Sequence, residues 1–167
     1  DITAEKHSAE ALRESEQRLV DAVESLPLGF VLYDAEGRLV LWNRMVADLL
    51  PEFYDGQAKG AKYEEFVRKA VWEGWIPEAV GREDEWIEER LEQHRNPSPE
   101  GLEITLEDGR TLFIAERKTS DGGTVAIRMD ITERKRAGRA VLESEARFRS
   151  IIDSSPMPIS LKDLDHK

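Results

Sequence analysis

Asp130-Ile131-Thr132 decides how this chain is read. It stands where a strand-like run, Thr124 to Met129, meets a charged helical pattern opening Glu133-Arg134-Lys135-Arg136. The same tripeptide begins the sequence as Asp1-Ile2-Thr3, an offset of 129 residues (130 minus 1). The offset holds further on. Glu14-Ser15-Glu16 returns as Glu143-Ser144-Glu145, Ser25 as Ser154, Pro27 as Pro156, Leu32 as Leu161 and Asp34 as Asp163. Residues 1–38 and 130–167 match without a gap at 13 of 38 positions, which marks a repeat rather than shared composition. Self-similarity at a fixed period has to be recognised before any local reading. The expectation is one full repeat plus the start of the next, drawn from a longer array.

Upstream of the tripeptide, three strands are expected in succession. Thr124 to Met129 places Val125, Ile127 and Met129 on one face and Arg128 on the other. Asp121-Gly122-Gly123 turns it back onto Thr111 to Lys118. Asp108-Gly109, a strong hairpin signal, joins that run to an alternating one through Leu102, Ile104 and Leu106. Further upstream the period changes to that of helices: Glu83 to His94, with Trp86, Ile87 and Leu91 on one side, and before it Tyr63, Phe66, Val67, Ala70 and Val71. Asn96-Pro97-Ser98-Pro99 separates the last helix from the strands, and residues 55–61 form a loop. Asn43 is an N-cap for a short helix through Met45, Val46, Leu49 and Leu50, stopped by Pro51. Ahead of it lie two strands, Gly29 to Tyr33 and Arg38 to Trp42, joined by a turn in which Gly37 supplies a positive φ. Two strands, several helices and three antiparallel strands predict an α+β layer with the helices on one side of the sheet.

Composition narrows the function. A net charge of −11 argues against nucleic acid and against an anionic membrane surface, both of which need clustered Lys and Arg. No apolar run approaches the ~20 residues that span a bilayer, so no direct membrane contact is expected. With no cysteine there are no disulfides, thiolate metal sites or cysteine nucleophiles.

Residues 4–26 read as a helix whose Ala9, Glu16 and Val23, with Leu12, Leu19 and Leu26, recur at seven-residue spacing. This is a short coiled-coil seam, and Leu12, Glu16, Leu19, Val23 and Leu26 are its candidate dimer contacts. The second copy offers Gly138, Glu145 and Ile152 with Val141, Phe148 and Ser155. A glutamate in both seams weakens pairing and fixes register. Packing of this face on its own domain is the alternative.

Leu26-Pro27 with Gly29, Asp34-x-x-Gly37-Arg38, Trp42-Asn43 leading into a helix, Asp108-Gly109-Arg110 and the closing Asp130-Ile131-Thr132-Glu133-Arg134-Lys135 form an ordered set. Together these residues resemble the PAS domain family of bacterial signalling proteins, over about residues 26–132. The resemblance implies a five-stranded antiparallel sheet in order 2-1-5-4-3, with helices over its concave face. The chain then divides into an N-terminal connector helix (1–25), a PAS domain (26–132), a C-terminal connector helix (133–153) and the start of a second PAS repeat (154–167). The family also implies a non-catalytic sensor and relay module in a cytoplasmic multidomain protein. Such arrays sit upstream of a histidine kinase or a diguanylate cyclase, and neither output's signature occurs in this sequence. The implied partners are a second copy, through the flanking helices, and the neighbouring PAS and output domains.

The residues allow a mechanism of their own. Asp130 with Glu133 has capping-box spacing while Thr132 is a rival N-cap, so Asp130, Ile131, Thr132 and Glu133 form a junction with two candidate helix starts. Strand movement that chooses between them would rotate the outgoing helix; one fixed cap is the plain alternative. For a ligand, Trp42, Asn43, Phe66, Trp75, Trp86 and Phe113 are candidate pocket lining, core being the favoured reading for most of the aromatics among them. PAS relatives bind flavin, haem or small organic acids. The cysteinyl–flavin type is excluded here, leaving non-covalent flavin or a small organic ligand, with an empty domain the leading expectation. Haem would need an axial ligand, and His94 reads instead as a surface or helix-capping residue. Arg117 and Arg128 are the strand arginines able to meet a ligand carboxylate. The acidic run from Glu83 to Glu92 reads as a solvated helix face rather than a metal site.

Overall fold

The computed structural model describes residues 1–54 and 59–154. Five strands form one antiparallel sheet: β1 (Gly29–Tyr33), β2 (Leu39–Trp42), β3 (Leu102–Thr105), β4 (Thr111–Lys118) and β5 (Thr124–Asp130), in the order β2-β1-β5-β4-β3. The predicted order is the observed one. β5 lies at the centre, paired with β1 on one side and β4 on the other. Between β2 and β3 run α2 (Arg44–Leu49), α3 (Pro51–Tyr54), α4 (Tyr63–Trp72), a 3-10 turn (Pro77–Ala79) and α5 (Glu83–Arg95). Pro51 does stop α2, but its fixed φ also suits the first position of a further helical turn, so α3 starts on it.

The residues that marked the family hold the turns. Asp34 Oδ1 accepts from the amides of Glu36 (3.0 Å) and Arg38 (2.9 Å), while Gly37 takes φ 73°, closing the β1–β2 turn. Arg110 binds Asp108 (2.7 Å) and donates to the Leu49 carbonyl (2.6 Å), tying the β3–β4 hairpin to the end of α2. Gly29 is dictated by space. A Cβ there would stand 3.0 Å from Val46 Cβ and 3.1 Å from the Arg128 carbonyl, so only glycine lets α2 lie this close to β1.

Helices cover one face of the sheet, and the core forms between them. Val31, Tyr33, Leu112, Ile114 and Ala126 from the sheet meet Val46, Leu50, Tyr63, Val67, Ala70 and Ile87 from the helices. Strand alternation sends Phe113 and the apolar trio Val125, Ile127 and Met129 to the other, half-buried face. The covered face of β5 therefore carries Thr124, Ala126 and Arg128, all buried.

α1 spans Ile2–Glu24 and stops at Ser25, whose amide and hydroxyl both bond back into its last turn. Leu26 thus lies outside the helix, a correction to the expected span. Of the seam residues, Val23 is buried against its own domain and Leu26 is half-buried, whereas Leu12 and Leu19 are 60% and 58% exposed and Glu16 is exposed. The chain divides into two compact units, residues 1–130 and 131–167. The second contains α6 (Thr132–Ser154), a 23-residue helix with Val141 and Leu142 exposed. Ile131 occupies its cap position, accepting from the Lys135 amide at 2.9 Å. The helix thus starts between Asp130 and Thr132, the two residues expected to compete as its caps. The other second-copy seam positions, Phe148, Ile152 and Ser155, have side chains outside the described residues, as does the segment 155–167 expected to begin a further repeat.

Candidate functional site

Between the covered face of the sheet and the helices lies a cavity of about 40 Å³, lined chiefly by hydrocarbon and aromatic side chains, with Arg128 among its walls. Arg128 is there because β5 is central and regular: a residue next to Met129 must project to the opposite face. It is 2% exposed. Its Nη1 donates to Tyr54 Oη at 2.6 Å, and its guanidinium lies 5.1 Å from the centre of the Phe66 ring and 5.9 Å from that of Tyr54. Its buried Nε has no hydrogen-bond partner among the described residues. Burial acts to lower the pKa of this group, but the phenols of Tyr54, Tyr33 and Tyr63 outweigh that and hold it above its ordinary value. The cation is permanent.

A second polar cluster borders the cavity. Arg90 on α5 makes a two-pronged ion pair with Glu116 on β4, Nη1–Oε2 at 3.0 Å and Nη2–Oε1 at 2.8 Å. His94, one helical turn further, donates from Nδ1 to Glu116 Oε1 at 2.9 Å, which selects the tautomer, because a carboxylate only accepts. Tyr63 stacks on the His94 ring with centroids 3.8 Å apart. Burial pushes the Glu116 carboxyl up, yet the bonds from His94 and Arg90 overcome it and bring its pKa to about 2. Burial pushes His94 down, against the pull of Glu116, so the ring is neutral near pH 7. Burial likewise raises the Tyr63 phenol to about 12 and Tyr33 well above its usual value, so neither supplies an anion. Arg90 and Glu116 neutralise each other. Arg128 is left as a buried positive charge, with no ion pair to a carboxylate among the described residues.

The sequence candidates are distributed unevenly about this site. Phe66 and Trp86 line the cavity. Trp75 borders a neighbouring groove with Glu107 and Arg110, and Trp42 packs toward Tyr54 at 6.3 Å between ring centroids. Phe113 stands on the other side of the sheet, its ring against Gly101. Asn43 is fully buried and engaged elsewhere: Oδ1 accepts from the amides of Phe30 (3.0 Å) and Val46 (3.1 Å), and Nδ2 donates to the carbonyls of Val23 (3.0 Å) and Leu28 (2.8 Å). It pins the end of α1, the start of β1 and the cap of α2, with no atom left for a ligand. Arg117 is exposed, leaving Arg128 as the strand arginine at the cavity. His94 is buried rather than on the surface: Trp86, Arg90 and His94 fall at four-residue steps on one face of α5. That step was visible in the sequence, but two of its three residues are polar and gave no apolar signal. Glu116, in an exposed-looking run, was missed altogether.

A cavity holds roughly one water per 10–15 Å³ in this measure, so this one has room for about three. A flavin ring system or a haem does not fit it as it stands. Among the described residues no group of three or more His, Asp or Glu side chains is arranged to hold a metal ion.

A 2-1-5-4-3 antiparallel sheet with helices over one face and a small cavity between the two layers defines an α+β domain. The family described as PAS fold matches residues 23–139, and the chain belongs to that family: it is a PAS sensor domain. It is 30% identical over 159 residues to the non-motile and phage-resistance protein of Caulobacter vibrioides, a match covering 91% of this chain and 16% of that protein's length. Similar solved structures include the PAS domain of an HTR-like protein from Haloarcula marismortui, 19% identical with a TM-score of 0.47, covering 75% of this chain and 99% of that one. The PAS domain of Bordetella pertussis BvgS is 21% identical with a TM-score of 0.45, covering 80% and 98%.

Proposed function

We propose that this chain is a non-catalytic sensor and relay module. It works as a dimer joined through its flanking helices, in a cytoplasmic multidomain signalling protein. A histidine kinase is the favoured output, and a diguanylate cyclase the alternative. The observation that carries the reading is the course of β5: it presents Arg128 to the cavity, and Ile131 is the one residue between its end at Asp130 and the start of α6. Whatever displaces Arg128 must move the strand that leads into the helix, so cavity state and helix state are mechanically linked. The exposed Leu12 and Leu19 support pairing of α1 with a second copy. No helix among the described residues is long and apolar enough to cross a membrane, in keeping with a cytoplasmic place for this segment.

A spin label at Val141, on the exposed surface of α6, tests the relay in the dimer. Arg128→Met should change the label-to-label distance distribution. An unchanged distribution, in a variant whose melting temperature shows that the core has responded, would leave the domain as a dimerisation spacer. The small size of the cavity is what favours that second reading.

A further inference from the structure

The two edges of the sheet are finished differently. Beside β2, the Leu39 amide donates to the Ala61 carbonyl (2.9 Å) and the Leu39 carbonyl accepts from the Gly60 amide (2.7 Å), so that edge is covered. β3 ends the sheet on the other side, with no further strand beyond it among the described residues. The hairpin sets its main-chain alternation. The Leu106 amide donates to the Arg110 carbonyl at 2.8 Å, so Ile104 bonds to β4 and the amide and carbonyl of Thr105 point away from it. An edge of this kind is a template for another strand.

A groove of about 240 Å³ lies between this edge and α5, with Trp86, Leu102 and Ile104 as apolar lining and Glu78 and Glu89 among its acids. β3 buries Ile104 on the α5 side and leaves Glu103 and Thr105 exposed on the other. A strand laid along β3 keeps that alternation: its side chains level with Ile104 enter the groove, and those between stand beside Glu103. The first set has to be apolar. Charge favours cations for the second, and α5 reinforces this with Glu83, Asp84, Glu85, Glu88, Glu89 and Glu92. A second copy of the chain fits poorly, because pairing through β3 would bring two such acidic helices together.

We propose that the free edge of β3 docks an extended segment of a partner protein as a sixth strand, one that alternates apolar residues with lysine or arginine. This surface is separate from the cavity, and its use does not depend on the relay.

Amide-resonance titration of the isotopically labelled whole chain with a short synthetic peptide alternating valine and lysine tests it. Saturable shifts centred on residues 102–105 and α5 are expected. A peptide of the same composition with its lysines in one block should bind at least about tenfold more weakly, and so should a valine–glutamate alternation. N-methylation of alternate peptide amides should abolish binding along one edge and spare it along the other, since one edge alone bonds to β3. Thr105→Pro removes the outward amide where an edge strand tolerates proline, and should also weaken binding about tenfold or more. The peptide comparisons need no variant, so they stand even if Thr105→Pro does not fold. Absence of saturable binding, binding indifferent to residue order or to methylation of either edge, or shifts centred away from β3 would overturn the site. Shifts at residues 102–105 that grow with protein concentration alone would give the edge to a second copy and overturn the proposal equally.

Discussion

Asn43 uses both donors and both lone-pair directions of one amide to hold three elements, and nothing else in the cap region can replace it. Asn43→Ala would strand the amides of Phe30 and Val46 and take one donor from each of the Val23 and Leu28 carbonyls, an unpaired buried group costing about 1–3 kcal/mol. The net loss should be about 3–5 kcal/mol, read by denaturant unfolding, with faster amide exchange in residues 20–24 as α1 loses its anchor. Glu116 is the other residue on which much hangs. Glu116→Gln keeps the shape but leaves Arg90, 2% exposed, without its counter-charge. The expected cost is also about 3–5 kcal/mol. A loss below about 1 kcal/mol would show that the Arg90 charge is compensated in some other way.

At the scale of elements, α1 does two jobs along its length. Its last turn belongs to the domain, through Val23 and through Glu24, whose Oε2 accepts from the Arg44 amide at 3.0 Å. Its middle, at Leu12 and Leu19, is open to a partner. The seven-residue seam read from the sequence is therefore shared between two kinds of contact. Leu12→Ser with Leu19→Ser should shift the chain from dimer to monomer in light scattering while leaving its melting temperature nearly unchanged, since neither leucine contributes to the core. A dimer of undiminished affinity would place the interface elsewhere. β5 shows a similar division. Val125, Ile127 and Met129 face outward and Thr124, Ala126 and Arg128 inward, the reverse of what hydrophobicity alone favours, and the rings of Tyr54 and Phe66 lie against Arg128 on that inner face.

At the scale of the whole molecule, the buried Glu116–His94 pair sets the direction of the pH dependence. His94 has its pKa lowered by folding, so the unfolded chain binds more protons below its ordinary value of 6.5. Stability should be full above that pH and should decline as pH falls through the window beneath it. Glu116, lowered from 4.5 to about 2, adds a second loss between those two values, of roughly 3 kcal/mol at about 1.4 kcal/mol per unit. Both act in the same sense. Melting temperature measured from pH 8 to pH 4 should fall on acidification, and His94→Gln should remove the part of the decline nearest pH 6. A profile that is flat or rises toward pH 5 would contradict the neutral assignment of His94.

Period, turn chemistry and the repeat were local facts, so the sequence alone determined the strands and main helices, the family and the sheet order that the family implies. Asp34, Gly37 and Asp108 act on residues a few places away or at a tight turn, which is why they could be read one by one. What only the tertiary structure decided was which face of each strand the helices cover. A period of two says that Arg128 and Met129 point apart, but it carries no sign saying which of them points inward. That sign put a guanidinium in the core, Phe113 and the β5 apolar trio outside, and Arg90, His94 and Glu116 together across 22 to 26 residues of chain. Burial of a charge depends on partners distant in sequence, and no window along the chain contains them.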